Sequence, residues 1–216
     1  MSKTDGSFSD GFGAQKGKHA HNGETRTRLM PAQPTETKTR LVTAAELQAM
    51  GDIGPCELID GEIVRMSPAG EVHGYLESRL TFFLYRFIQD AQTGWISGGE
   101  VGIYIRHNPD RIRGADLAFW SKERLPDGPS TGFSEVAPDL IAEILSPNDR
   151  WSEMRQKIDD YFSIGVDTLW IVDPDEETVF VYRTASQRIA LRSGDTLAGT
   201  GPLTGFALPV SELFAF

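Results

Sequence analysis

The sequence predicts a mixed α/β domain, a β-sheet flanked by helices and preceded by an N-terminal β-hairpin. Three observations carry this. Short apolar runs bounded by turn residues read as strands, and two longer stretches repeat apolar residues at three- and four-residue steps, as helices do. One of these helices lies between two apolar strands, an arrangement that implies a crossover leaving those strands parallel inside the sheet.

The elements follow in order. Residues 1–39 are rich in Gly, Ser, Thr, Lys and Pro without apolar periodicity, and read as a disordered or vector-derived extension; residues 40–216 form the domain. Thr43 three residues before Glu46 is a capping-box pattern opening a short helix to about Met50. Glu57 to Met66 reads as a hairpin turning on Asp60-Gly61. From His73 to about Asp90, Leu76, Leu80, Phe83, Leu84 and Phe87 fall on one helical stripe. Strand segments are expected near Trp95–Ile96 and Val101–Ile105, then around Asp116 and around Glu143, with a long Gly- and Pro-containing loop from about Ser121 to Pro138 between the last two. Loops of this length are often functional. The helix from about Trp151 to Ile164 is expected to bury Trp151, Met154, Ile158, Tyr161 and Phe162 and to end at Gly165. Thr168–Val172 is a continuous apolar strand, Val179–Arg183 an antiparallel neighbour, and Phe206, Leu213 and Phe214 cap the core.

Composition narrows the function. With 39% hydrophobic residues the chain can fill one core, and its single cysteine, Cys56, excludes an internal disulfide and suits a reducing compartment. No apolar run approaches the roughly 18 residues of a membrane span, and the N-terminus lacks a secretory apolar segment, so a cytoplasmic protein with no membrane partner is expected. The net charge is −10, with residues 1–40 carrying a net +3 and residues 41–216 a net −13. An acidic domain argues against tight nonspecific binding to nucleic acid, although bound metal cancels local charge.

Against that background Asp116 and Glu143 stand out, because each interrupts an apolar strand run, and strands bury carboxylates only when these are paired or bind a cation. Alternation places Glu143 on the face of Ile141 and Leu145, and Asp116 on the face of Gly114 and Ala118. The plainer reading sets each acid at a strand end, meeting water or an arginine. Lys157 follows on the helix, roughly 85° from the centre of the apolar stripe, a flank from which its ammonium can pass the sheet edge; the plainer reading pairs it with Glu153 or Asp160. His73 reads as a packed core histidine or a site residue. Glu62 and Glu77 read as exposed charges or additional metal ligands. Arg111, Arg113, Lys122 and Arg124 are candidate phosphate contacts or surface ion-pair partners.

Several spaced motifs together resemble a known family. They are Glu57-Leu58-Ile59-Asp60-Gly61-Glu62, His73-Gly74, Ala115-Asp116-Leu117-Ala118-Phe119, the run from Pro138 to Pro147 around Glu143, Lys157 to Phe162, and Gly165 to Pro174. From about Thr43 to Phe216 the chain is similar to the Uma-two family of restriction endonucleases, within the PD-(D/E)XK nuclease superfamily. The resemblance implies a restriction-endonuclease-like fold and a Mg²⁺-dependent site (Mn²⁺ as the alternative ion) cutting phosphodiester bonds, with DNA as the substrate. Asp116 and Glu143 match the superfamily acids. Ala115 replaces the usual proline before the aspartate, and Leu145 stands where a strand lysine is expected, so Lys157 matches the family's displaced lysine. The implied mechanism has Asp116, Glu143 and a backbone carbonyl near Ile144 hold the ion while Lys157 orients a water. A catalytically silent or conditionally active binding module on the same fold is the alternative, and homodimerisation is a further implication.

Overall fold

A computed structural model of the protein describes residues 40–147 and 149–216. The expected extension, residues 1–39, lies outside the described residues. Helix α1 (Ala44–Ala49) opens on the expected capping box, with Thr43 accepting from the Glu46 amide and Glu46 accepting from that of Thr43. Strands β1 (Cys56–Ile59) and β2 (Glu62–Arg65) form the hairpin, and Asp60 and Gly61 take the positive φ values (54° and 83°) that a primed turn requires. Helix α2 (Glu71–Ala91) is followed by β3 (Gly94–Arg106), β4 (Arg111–Ser121) and β5 (Leu140–Ile144). Helix α3 (Trp151–Ser163) leads to β6 (Thr168–Asp173), β7 (Thr178–Thr184) and β8 (Gln187–Leu191). A small ribbon of β9 (Thr196–Ala198) and β10 (Ala207–Pro209) precedes the short α4 (Val210–Leu213).

Eight strands form one sheet in the order β2-β1-β4-β5-β6-β7-β8, with β3 on the remaining side of β4. As expected, β5 and β6 are parallel across the α3 crossover while the other pairings of this sheet are antiparallel. One face packs Leu117, Phe119, Leu140, Ala142, Ile144 and Trp170 against Leu76, Leu80, Leu84 and Ile88 of α2 and against Phe206, Leu213 and Phe214 near the C-terminus. The other packs Ala118, Ile141, Leu169 and Ile171 against Met154, Ile158 and Tyr161 of α3. A third, smaller cluster lies between α1 and the hairpin.

The structure corrects three local expectations and places the long loop. The two strand segments after α2 are one strand, β3, interrupted by an offset in register between Gly98↔Leu117 and Val101↔Ala115. Two residues, Gly99 and Glu100, thus oppose Asp116, and both have positive φ (83° and 61°), the signature of a bulge. Asp116 does not share the side of Ala118: Ala118 joins the α3 cluster, whereas Asp116 meets His73 of α2, because the irregularity breaks the two-residue alternation. Trp151 is not buried; at the first turn of α3 it is 37% exposed and packs its edge on Phe180 beneath the Arg188 guanidinium. The long loop after β4 covers the outer edge of β3, with Ser134 donating to the Gly102 carbonyl and accepting from the Tyr104 amide.

Candidate active site

The site begins as a gap in the sheet. On one edge β4 pairs first with β1, at Leu58↔Ile112, and then with β5, from Leu117↔Ala142 onward. Between those contacts, among the described residues, no strand pairs with the main chain around Gly114 on this edge, and buried peptide groups there need other partners. Side chains supply them. The Gly114 amide donates to Glu57 Oε1 (3.1 Å), and its carbonyl accepts from Lys157 Nζ (3.1 Å), with Tyr161 Oη 3.3 Å away. The last amide of β5, that of Ile144, donates to Asp116 Oδ2 at 2.6 Å. Polar side chains therefore gather at this gap because the backbone demands it.

Lys157 reaches the gap from α3 as its helical phase predicts. Its ammonium lies 3.0 Å from Glu143 Oε2 and 3.3 Å from Glu57 Oε1. Tyr161, one turn further on, donates to Glu143 Oε1 at 2.6 Å. On the α2 side His73 Nε2 lies 3.2 Å from Asp116 Oδ2. Glu77, one turn beyond His73, accepts from the Gly99 amide at 3.0 Å. The bulge turns Glu100 towards Gly114, where a Cβ would come within 2.5 Å of the carboxylate; a glycine at 114 is what leaves that space. Asp116 and Glu143 are nearly buried, while Glu100 is exposed and stands on their solvent side.

The charges do not balance, and the ionisation of the site follows. Burial, reinforced by the Asp116 carboxylate, pushes Glu143 up to about 8 despite the Lys157 ammonium. Burial alone would lower Lys157, but Glu143, Glu57 and Asp116 outweigh it and the net shift is upward. Desolvation of the carboxylate, which for Glu100 is partial because the residue as a whole is exposed, and the charge of Asp116 raise Glu77 and Glu100, and the Asp116 hydrogen bond raises His73 against its desolvation. Every shift favours an added positive charge. Since Glu143 binds its proton more tightly folded than unfolded, its contribution to stability is complete below its ordinary value of 4.5 and is lost as pH rises towards about 8. Urea midpoints of the metal-free protein should therefore fall across this interval, and Glu143→Gln should flatten the slope. An unchanged slope in that variant would show that Glu143 is not the titrating group.

The structure thus brings Asp116, Glu143, Lys157 and His73 together, with Glu77 beside them. Glu62 is not among them: it lies exposed on β2, and Glu57 of the paired strand enters the gap instead. Of the candidate phosphate contacts, the three arginines take the ion-pair alternative. Arg113 is buried between Glu57 and Asp160 (2.7 Å each), and Arg111 binds Asp60 (2.8 Å) and Asp160 (2.7 Å). Arg124 binds Asp139 and Asp167 and donates to the carbonyls of Ala137, Pro138 and Gly165. Lys122 lies beyond the far end of β4, about 20 Å along the strand from Asp116. The main-chain amide of Ile144 meets Asp116. Glu57, Glu100 and Tyr161 also belong to the site, although the sequence does not mark them as such. The doubled glycine of Gly98-Gly99 within a strand pattern is a bulge signal that could have found Glu100. Glu57 and Tyr161 resembled an ordinary hairpin charge and a core aromatic.

A mixed, mostly antiparallel sheet flanked by helices is the architecture of the restriction-endonuclease-like class. A family model described as "Putative restriction endonuclease" matches residues 44–211, and the chain belongs to that family, Uma2. The fold is similar to a crystal structure described as "a putative nuclease belonging to DUF820" from Anabaena variabilis ATCC 29413. That likeness has a TM-score of 0.70 at 22% identity, covering 80% of this chain and 97% of the other. No curated protein sequence matches. Among the described residues, no helix is long and apolar enough to cross a membrane.

Proposed function

We propose that this protein is a metal-dependent endonuclease that hydrolyses phosphodiester bonds in DNA. The observation that carries the reading is the Lys157 ammonium, held 3.0 Å from Glu143 in the sheet gap that the Asp116 carboxylate also enters. Among the described residues no three His, Cys, Asp or Glu side chains form a ready metal cage. The donors nevertheless suit Mg²⁺ or Mn²⁺. They are hard carboxylate oxygens with surplus negative charge, and Mg²⁺ is commonly held by one or two carboxylates with water completing its shell. Asp116 and Glu143 would hold the ion, with Glu77 and Glu100 lining the same space. When bound, it supplies electrophilic charge for a scissile phosphate and lowers the pKa of water.

The chain's own residues do the rest. Tyr161 fixes the Glu143 carboxylate, and His73 with the Ile144 amide fixes that of Asp116. Lys157 donates to the Gly114 carbonyl and to Glu143, and its ammonium forms a third, purely ionic contact with Glu57. The Glu57 contact is the longest, at 3.3 Å, and is the one that exchanges for a phosphate oxygen or the attacking water. Lys157 then stabilises charge developing on the phosphate.

Supercoiled plasmid incubated with purified protein should be nicked with Mg²⁺ or Mn²⁺ and left intact with a chelator. Absence of nicking with either ion would overturn the reading. A second reading, a catalytically silent or conditionally active binding module, draws support from Arg111, Arg113 and Arg124, whose guanidinium groups are committed to internal carboxylates. Calorimetric titration separates the two: a nuclease takes up the ion through Asp116 and Glu143, and a silent module shows no uptake that depends on them.

A further inference from the structure

Helix α2 presents a second stripe that neither the core nor the site uses. Its inward residues Leu76, Leu80, Leu84 and Ile88 account for its packing on the sheet. On the opposite side Glu71, Tyr75, Ser78, Phe82, Tyr85 and Gln89 follow at alternating steps of four and three residues, and all are exposed. Tyr75 is 37%, Phe82 56% and Tyr85 52% exposed, with Val72 at 45% beside them. Phe216, 78% exposed, stacks on Tyr75 and extends the patch. Alternating three- and four-residue steps are the spacing of a seam between paired helices. With aromatic side chains of about 200 Å², these fractions leave roughly 500 Å² of apolar surface open on each chain. Two such surfaces together reach about 1,000 Å², the lower bound for a specific interface.

The stripe is also complementary to itself. An isologous contact requires that if one residue meets a second, the second meets the first. About a pivot midway between Ser78 and Phe82, an antiparallel copy sets Phe82 over Ser78 twice, Tyr75 against Tyr85 twice, and Glu71 near Gln89 at both ends. Large meets small at the centre, aromatic meets aromatic next to it, and polar residues close the rim. A parallel copy in register would oppose Phe82 to Phe82 and leave a void at Ser78. Other occupants fit less well. Residues 1–39 offer no apolar stripe to match. Arg79 lies over Tyr75 and Phe83, and Arg86 over Phe82, so the cations of this face are stacked on its own rings, with Glu71 at its end, which is poor provision here for a polyanion.

We propose that the outer face of α2 is an isologous dimer interface, occupied by the antiparallel α2 of a second copy of this chain. His73 and Glu77 stand on the inner side of the same helix, so the pairing fixes two candidate sites in one symmetric particle. The test is sedimentation equilibrium of the full-length chain over micromolar concentrations. The wild type should have twice the 23.8 kDa chain mass. Phe82→Glu should have the single-chain mass with an unchanged circular dichroism spectrum. Ser78→Trp, which adds no charge but fills the recess that Phe82 needs, should also be monomeric. Ile189→Glu, on β8 and 60% exposed, should remain a dimer. A monomeric wild type, or a Phe82→Glu protein that stays dimeric, would overturn the proposal. A dimeric Ser78→Trp would overturn the antiparallel pairing. Mass is measured without nucleic acid or metal, so this outcome and that of the nicking assay fail separately.

Discussion

Asp116→Asn should lower metal-dependent nicking at least about a hundredfold, equivalent to about 2.7 kcal/mol of transition-state stabilisation, while the protein stays folded. The substitution is informative because it keeps shape and removes charge. One amide oxygen can still accept from the Ile144 N–H, which now donates to Asp116 at 2.6 Å, so the end of β5 stays anchored. The loss of a carboxylate also relieves the electrostatic pressure that helps to raise Glu77, Glu100 and Glu143. His73 should titrate lower, since its raised value depends first on the hydrogen bond to Asp116; proton NMR of its ring would read this independently of activity. Lys157→Ala is a harsher experiment, because it leaves Glu143 buried without its cation and Glu57 with Arg113 alone. If Asp116→Asn binds Mg²⁺ and nicks plasmid at the wild-type rate, the acids at the gap are structural, whatever the fold.

The architecture was legible where local chemistry and periodicity agreed. The capping box at Thr43, the Asp60-Gly61 turn, the stripe of α2 and the β5–α3–β6 crossover each follow from short-range rules. The convergence of Asp116, Glu143 and Lys157 was legible as well, because strand alternation and helical phase fix where Glu143 and Lys157 project. Asp116 shows the limit of that reasoning: a bulge in the neighbouring strand altered its side without leaving a mark on its own segment. Glu57 shows a second limit. A glutamate in a four-residue hairpin strand looks solvated, and only the gap between β1 and β5, a property of strand order, makes its burial favourable. The arginines failed for the same reason. Sequence gives their charge, but whether a guanidinium faces solvent or an internal carboxylate depends on residues about fifty positions away.

Those buried arginines carry the other large expected effect. Arg113→Ala should destabilise the protein by about 3–5 kcal/mol, the range found when one member of a buried ion pair is removed. Arg113 is 6% exposed and donates through Nε to Asp160 and through Nη1 to Glu57, both at 2.7 Å. It ties α3 to the hairpin across β4. Its removal leaves Asp160 with Arg111 alone and Glu57 with Lys157 and the Gly114 amide, too little positive charge for buried carboxylates already surrounded by others. Arg113→Lys should recover little, because one ammonium cannot reproduce two directed guanidinium bonds. Arg106, by contrast, pairs with Asp60 at the surface, and Arg106→Ala should cost no more than about 1 kcal/mol. Urea denaturation of the three variants measures the ranking, and thermal midpoints should fall by roughly 10 °C for Arg113→Ala. The loss should also reach the site, because Glu57 would lose the partner that fixes it beside Lys157. An Arg113→Ala protein as stable as Arg106→Ala would mean that the hairpin and α3 are held together by apolar packing, with the ion pairs contributing nothing net.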